Sequence, residues 1–362
     1  MNQTYTPKFQ EEYSAKIPAL TLLTSLGWTF LSPKQIMDYR GYKQDEVVLR
    51  PVLREELSKR SFMAGGKTCQ LSEKALDNLI SQVCSPALNE GLLKANERMY
   101  NHLLYGIAVT EFVDGKKVNP TIALIDWEHP ENNQFHFTEE FTVLRSGGVE
   151  TRRPDIVCFV NGIPLAVIEA KSPAGHGKKG PTIDEGISQS IRNQLNDEIP
   201  QLFVYSQLLL SINGHDGRYG TCHTPMKFWA AWREEDITDP QMYALRNHPL
   251  STEQIHALFD HRPSVDLKWY QQLIDGGELA VSGQDKLLIS LLSPERLLEM
   301  TRFFTLFDNK TGKIVARYQQ VFGIKRLLER ISTRRPDGGR EGGVIWHTTG
   351  SGKSYTMVFL SK

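Results

Sequence analysis

The sequence predicts a layered α/β or α+β fold, and three observations predict it. Apolar residues at helical spacing dominate residues 10–26 and 72–104. Short β-branched and aromatic segments separated by Gly, Asn and Pro fill residues 106–171. Helical and strand-like patterns then alternate from residue 183 onward. Helices, then strands, then alternation is the order expected of packed α/β or α+β layers.

The elements follow in chain order. Tyr13, Ile17, Leu20, Leu23 and Leu26 lie on one side of a helix that Gly27 ends, with Pro18 a warning of a lost hydrogen bond inside it. Leu76, Leu79, Ile80 and Val83 mark a second helical stretch, and residues 92–104 continue it. Strands are predicted at 121–127, 134–144, 155–160 and 163–169. A basic loop at 174–182 precedes a helix over 183–196, and apolar runs at 202–212 and 226–232 read as further strands. A second unit begins near residue 260. In it Ser293-Pro294-Glu295 starts a helix, with serine as cap, proline first and an acid in the first turn. A polar glycine-rich loop at 333–343 leads into a short strand, Val344-Ile345-Trp346.

Composition narrows the class. At 362 residues the chain has room for two or three domains of about 150 each. Lys plus Arg and Asp plus Glu each number 42, so any nucleic-acid-binding surface must be a local one. The cysteines at 69, 84, 158 and 222 form no Cys-x-x-Cys pair, which argues against a zinc site of that kind. No apolar run approaches about 18 residues, and the first 16 residues have no apolar core of a secretory signal. The expected setting is soluble, reducing and cytoplasmic, with no membrane partner.

Two constellations carry chemistry. In the first, Pro154-Asp155 precedes an apolar strand, a turn, a second apolar strand and Glu169-Ala170-Lys171. This is the PD-(D/E)xK nuclease pattern. Glu169 and Lys171 are two apart on a strand and share a face. A two-residue turn at Asn161-Gly162 would pair residue 155 with 168 and put Asp155 on the opposite face. A three-residue turn of 160–162 pairs 155 with 167 and brings Asp155, Glu169 and Lys171 together. The expectation is therefore a positive φ at Gly162 and a bulge there. Asp155, Glu169 and the Ala170 carbonyl offer the oxygen ligands that Mg²⁺ prefers. The ion would acidify a water, and Lys171 would orient it or stabilise charge on the scissile phosphate.

The second constellation runs from His347 to Ser354. Thr349, Gly350, Ser351, Gly352, Lys353 and Ser354 follow a strand and open a helix, as a phosphate-binding loop requires, with Lys353 for the outer phosphates and Ser354 for Mg²⁺. His347 replaces the pattern's first glycine. Upstream, Arg317-Tyr318-Gln319-Gln320 opens an amphipathic helix, and Gln320 is the choice for reading the adenine edge of ATP. The chain ends eight residues after Ser354 without an acidic box, so it is expected to hold a nucleotide without turning it over efficiently, as a piece of something longer.

Arg153-Pro154-Asp155-Ile156-Val157, Asn161-Gly162-Ile163-Pro164-Leu165 and Glu169-Ala170-Lys171 closely resemble the nuclease core of type I restriction enzyme R (HsdR) subunits. Leu208-Leu209-Leu210, Asn213-Gly214, Gly220-Thr221, Arg317-Tyr318-Gln319-Gln320 and the phosphate loop extend the likeness from about residue 9 to the end. The resemblance implies an α/β restriction-endonuclease-like domain, a mixed sheet flanked by helices, over 1–260. Linker helices and the start of a first RecA-like superfamily 2 helicase lobe would occupy 261–362. It implies Mg²⁺-dependent cutting of unmodified double-stranded DNA after ATP-driven translocation, in complex with methyltransferase (M) and specificity (S) subunits. Family nucleases also carry an acid on the first helix, for which Glu12 is preferred to Glu11. They carry a Gln-x-x-x-Tyr motif after the lysine as well. Gln189 fits its first position and Asn193 stands where the tyrosine would be. Arg152, Arg153, Lys178 and Lys179 form the expected basic rim. Two other readings are a catalytically silent assembly or docking module, and a stand-alone repair nuclease with an ATP-binding tail.

Overall fold

The computed structural model describes residues 10–173, 182–344 and 352–362. A mixed sheet lies at its centre: β1 (Thr29–Phe30), β2 (Phe135–Glu139), β3 (Ile156–Val160), β4 (Ile163–Ala170), β5 (Leu208–Ile212) and β6 (Gly217–Gly220), in that spatial order. β1 runs parallel to β2 and β4 to β5, and the other neighbours are antiparallel. β3, β4 and β5 are buried along their whole length, which explains why they read as continuous apolar runs with no polar alternation. Parallel neighbours need a crossover, and that between β4 and β5 is helix α3 (Thr182–Asn193).

The first helix departs from the simple expectation. Glu12–Lys16 forms a wide turn in which the Ile17 N–H reaches back to the Glu12 carbonyl, and α1 (Ile17–Ser25) follows with Pro18 in its first turn. The helical run is continuous from residue 11, so the proline's missing N–H falls inside it, and the wide turn lies immediately before it. Gly27, at φ 94°, ends the helix as expected. Three of the expected strands are shorter or absent. Residues 121–127 keep only Thr121–Ile122; 202–212 opens with a helical turn, Pro200–Phe203, before β5; and 226–232 is a short 3₁₀ turn at Met226–Phe228 with one bridge, Ala230 to Tyr219. Apolar runs of this length cannot distinguish strand from buried turn. Residues 134–144 split into β2 and a separate pair, Val143–Leu144 with Thr151–Arg152.

The helices after residue 238 pack on the sheet's own helices. Trp28 Nε1 donates to the Leu292 carbonyl of α4 (Gly283–Leu292) at 2.7 Å, and one buried apolar cluster runs from Ala15 through Leu292 to Phe359. Among the described residues no helix is long and apolar enough to cross a membrane.

Candidate active site

The hairpin β3–β4 places the first two acids. Asn161 and Gly162 have φ 52° and 79°, the positive pair that a two-residue type I′ turn requires, and Val160 pairs with Ile163. Continued unchanged, that register would put residue 155 across from 168. It shifts between Cys158 and Phe159, so that Cys158 pairs with Ala166 and Ile156 with Ile168, and Asp155 falls opposite Glu169. The predicted positive φ at Gly162 is present, but the turn has two residues instead of three, the bulge lies on β4 at Leu165 instead of at Gly162, and the register leads residue 155 to 169 instead of 167. The correction has a physical cause. Asn161 is fully buried and accepts from Gln134 N at 2.8 Å while donating to the Leu124 carbonyl and to Asn133 Oδ1, at 3.0 and 2.8 Å. Such a network locks the tight turn and moves the irregularity into the strand. At Gly162 a Cβ would stand 2.6 Å from the Leu49 carbonyl oxygen, at the start of helix α2 (Arg50–Ser58).

Around this pair the polar atoms converge. Asp155 Oδ2 accepts from the Ala170 N–H at 2.8 Å and lies 3.4 Å from Lys171 Nζ, which also donates to the Ala170 carbonyl at 2.8 Å. Gln189 Nε2, from α3, donates to Glu169 Oε2 at 2.6 Å. Helix α3 gets this close because residue 186 is glycine: a Cβ there would press on Ser211 Oγ of β5 and lie 3.4 Å from Glu169 Cβ. Ser211 Oγ in turn donates to the Ile183 carbonyl at 2.8 Å. Sequence reasoning missed Gly186 and Ser211; a lone glycine inside a helical pattern was the available signal.

Electrostatics mark the site. Burial, and then the neighbouring Asp155 carboxylate, hold the Glu169 carboxyl well above its usual range. Burial works against the Lys171 ammonium, but Asp155, Glu169 and Glu11 outweigh it and raise its affinity for its proton. Glu169 Oε1 is buried and accepts no hydrogen bond among the described residues. Two acids this close share a proton or a cation. The donor set suits a hard cation: two carboxylates and a carbonyl, with waters completing the shell. No group of three or more His, Cys, Asp or Glu side chains able to hold an ion forms among the described residues, so such a shell would depend on the Ala170 carbonyl.

The acid on the first helix is a correction. Glu12 turns away, paired with Arg262 and 3.7 Å from Lys16 Nζ. Glu11, half-buried, feels the charges of Lys171 and Asp155, and burial is the largest cause of its raised pKa. On a wide turn adjacent residues point apart, and only tertiary packing decides which of two neighbouring acids faces the sheet. Asn193 is buried, and its Oδ1 has no hydrogen-bond partner among the described residues. Of the basic rim, Arg152 is held by Glu198 at 2.5 Å and Arg153 pairs with Glu140. Lys178 and Lys179 lie outside the described residues.

At the chain's other end Thr349, Gly350 and Ser351, with Ile345, Trp346 and His347, also lie outside the described residues, and Val344 is exposed and in no strand. Gly352, at φ 86°, caps α6 (Lys353–Ser361), so Lys353 and Ser354 open a helix as expected. Gln320 belongs to α5 (Tyr318–Ser332). Its Oε1 accepts from Arg317 N at 2.8 Å and its Nε2 donates to the Gly352 carbonyl at 3.2 Å. The glutamine therefore touches Gly352, the glycine that precedes Lys353.

A mixed sheet whose bulged hairpin gathers Asp155, Glu169 and Lys171 defines a restriction-endonuclease-like protein. Residues 8–228 match the family model described as the type I restriction enzyme R protein N terminus, and residues 319–362 match that of the SWI2/SNF2 ATPase. The chain belongs to the type I restriction enzyme R protein family. It is similar to the type I restriction enzyme HindI endonuclease subunit of Haemophilus influenzae, at 30% identity over 357 residues, covering 95% of this chain and 29% of that protein. It is also similar to the putative MjaIXP endonuclease subunit of Methanocaldococcus jannaschii, at 26% identity over 375 residues, covering 98% of this chain and 31% of that one. The chain thus spans less than a third of the length of these curated relatives.

Proposed function

We propose that this chain carries the nuclease of a type I restriction system, a Mg²⁺-dependent endonuclease acting on unmodified double-stranded DNA, joined to the start of the ATP-driven motor of its R subunit. The reading places the nuclease over residues 1–260 and the linker helices and first motor lobe over 261–362. It assigns methyltransferase and specificity subunits as partners in a cytoplasmic complex. The observation that carries it is the meeting of Asp155, Glu169 and Lys171 across the hairpin, with a buried Glu169 oxygen that accepts no hydrogen bond among the described residues.

The roles follow from position. Asp155, Glu169 and the Ala170 carbonyl would hold Mg²⁺, which when bound polarises the scissile phosphate and acidifies a water. Lys171, held by the Asp155 carboxylate and the Ala170 carbonyl, keeps its proton and presents positive charge where phosphate charge builds. Gln189 fixes the Glu169 rotamer from above. Lys353 and Ser354, at the N-terminus of α6, would meet the phosphates of ATP, and Gln320 would couple adenine reading to the Gly352 end of that loop. Plasmid nicking in Mg²⁺ tests the nuclease: Asp155→Ala and Lys171→Ala each abolish it, and residual nicking equal in all three proteins would remove the assignment.

A further inference from the structure

The segment that leads into Asp155 is held from the β2 side by a left-handed turn. β2 ends at Glu139, which pairs with Ile156. Just beyond it the Glu140 N–H donates to the Asp155 carbonyl at 2.9 Å, and the Phe141 N–H donates to the Pro154 carbonyl at 3.0 Å. Successive N–H groups of a regular strand point to opposite sides, so a regular strand could not aim both at one neighbouring segment. The break that lets them do so is Glu140, whose φ is 53°. A glutamate is strained there and a glycine would not be. Asp155 lies just before β3, and Pro154 has no N–H to give, so their carbonyls are what this segment offers to β2.

The Glu140 carboxylate ties the turn down. One oxygen meets the Lys16 ammonium and the other the Arg153 guanidinium, two residues before Asp155. Lys16 is almost fully buried and lies 3.6 Å from Glu139 and 3.7 Å from Glu12, so it is a fixed post on the first helix. The far side of the turn is fixed as well. Phe141 is buried against Phe159, the Arg40 guanidinium sits 4.3 Å from the centre of its ring, and Arg40 Nη1 donates to the Thr142 carbonyl at 2.8 Å. The left-handed residue thus has an anchored neighbour on one side and a buried cation at its side chain.

We propose that Glu140 is a positioning residue of the nuclease site: its carboxylate, tied to Lys16 and Arg153, holds the left-handed turn that fixes the backbone of residues 153–155 and so places the Asp155 carboxylate against Ala170 and Lys171. This deepens the nuclease reading above, on which its meaning for catalysis rests.

Amide hydrogen exchange in the absence of metal reads the placement, because the Ala170 N–H donates to Asp155 Oδ2. Asp155→Ala gives the exchange rate with that bond gone. Glu140→Gly removes the carboxylate and leaves a residue at ease with positive φ, so backbone strain does not enter. It is expected to speed Ala170 exchange about fivefold relative to the amides of β5, toward the Asp155→Ala rate. Glu140→Gln keeps one acceptor oxygen for two cations and should speed it less. Isothermal titration with Mn²⁺, which takes the same oxygen ligands as Mg²⁺, gives a second readout. Loss of an outer residue that orients a ligand weakens metal binding by about 10–100-fold, and Glu140→Gly should lose about tenfold. Ala170 exchange equal to the parent's overturns the proposal. So does faster exchange shared equally by the β5 amides, which would report general loosening, and so does a parent-like Mn²⁺ affinity where Asp155→Ala loses it. If Glu140→Gly does not fold by circular dichroism, Glu140→Gln carries the test, and parent-like values there overturn it too. The nuclease reading fails differently: a parent that binds no Mn²⁺, or an Asp155→Ala protein that binds it as tightly, removes that reading, while Ala170 exchange still decides whether Glu140 places Asp155.

Discussion

Substituting alanine at Gly186 tests whether the close approach of α3 builds the site. The new methyl would press on Ser211 Oγ and stand 3.3 Å from Ser211 Cβ and 3.4 Å from Glu169 Cβ, in a fully buried layer. Overpacking of this kind costs about 1–3 kcal/mol. Removing a glycine from a helix interior returns about 1 kcal/mol. The net is a destabilisation of about 0–2 kcal/mol, which alone decides little. The pair decides more. Ser211→Ala removes the obstructing oxygen and forfeits the 2.8 Å bond to the Ile183 carbonyl, a loss of about 0.5–1.5 kcal/mol. With Oγ gone the methyl fits, so Gly186→Ala/Ser211→Ala should be more stable than the sum of the singles by roughly 1–3 kcal/mol. Urea unfolding followed by circular dichroism measures this cycle. Nicking should follow the same order, because lifting α3 draws Gln189 off Glu169. Additivity to within about 0.5 kcal/mol would refute the argument, since independent sites add to that precision.

Two further predictions concern stability. Asn161→Ala leaves Gln134 N and the Leu124 carbonyl without their partner and leaves at φ 52° a residue that tolerates the left-handed region less well than asparagine; a loss of about 3–5 kcal/mol is expected by chemical denaturation, and Asn161→Gly should recover about 1 kcal/mol of it by relieving the backbone alone. Equal losses in the two would discount the backbone part. Lys313 is fully buried between the Ser206 carbonyl at 3.0 Å and Gln207 Oε1 at 2.7 Å, and burial pushes its ammonium from 10.5 down to about 8. Its folded pKa is below its unfolded one, so the penalty is fully present below pH 8 and fades as pH rises from 8 toward 10, where the unfolded chain binds the extra proton. The drop corresponds to an energy on the order of 3 kcal/mol. Lys313→Met should therefore improve its urea midpoint relative to the parent more at pH 7 than at pH 9, and a difference independent of pH would rule this out.

Much of the site could be read from the chain because its chemistry is local in sequence. Glu169 and Lys171 share a face by strand geometry alone, and Asn161-Gly162 announces a turn with positive φ. Parity required one extra residue in the hairpin if Asp155 was to join them, and one is there. Its location was not legible, because it depends on Asn161 bonding to Asn133 and Leu124, far away in sequence. The strand at 226–232 failed for a related reason, since a short apolar run reports burial and not conformation.

By itself, then, the sequence determined the layered α/β class, the convergence of two acids and a lysine, and the glycine-lysine-serine opening of the last helix. Those follow from spacing and side-chain chemistry, which neighbouring residues impose on one another. Tertiary structure alone decided that Glu12 goes to Arg262, 250 residues away, and that Gly186 lets a helix down onto Glu169. Each depends on which distant surface fills the space beside a residue, and close packing settles that only when the whole chain has folded.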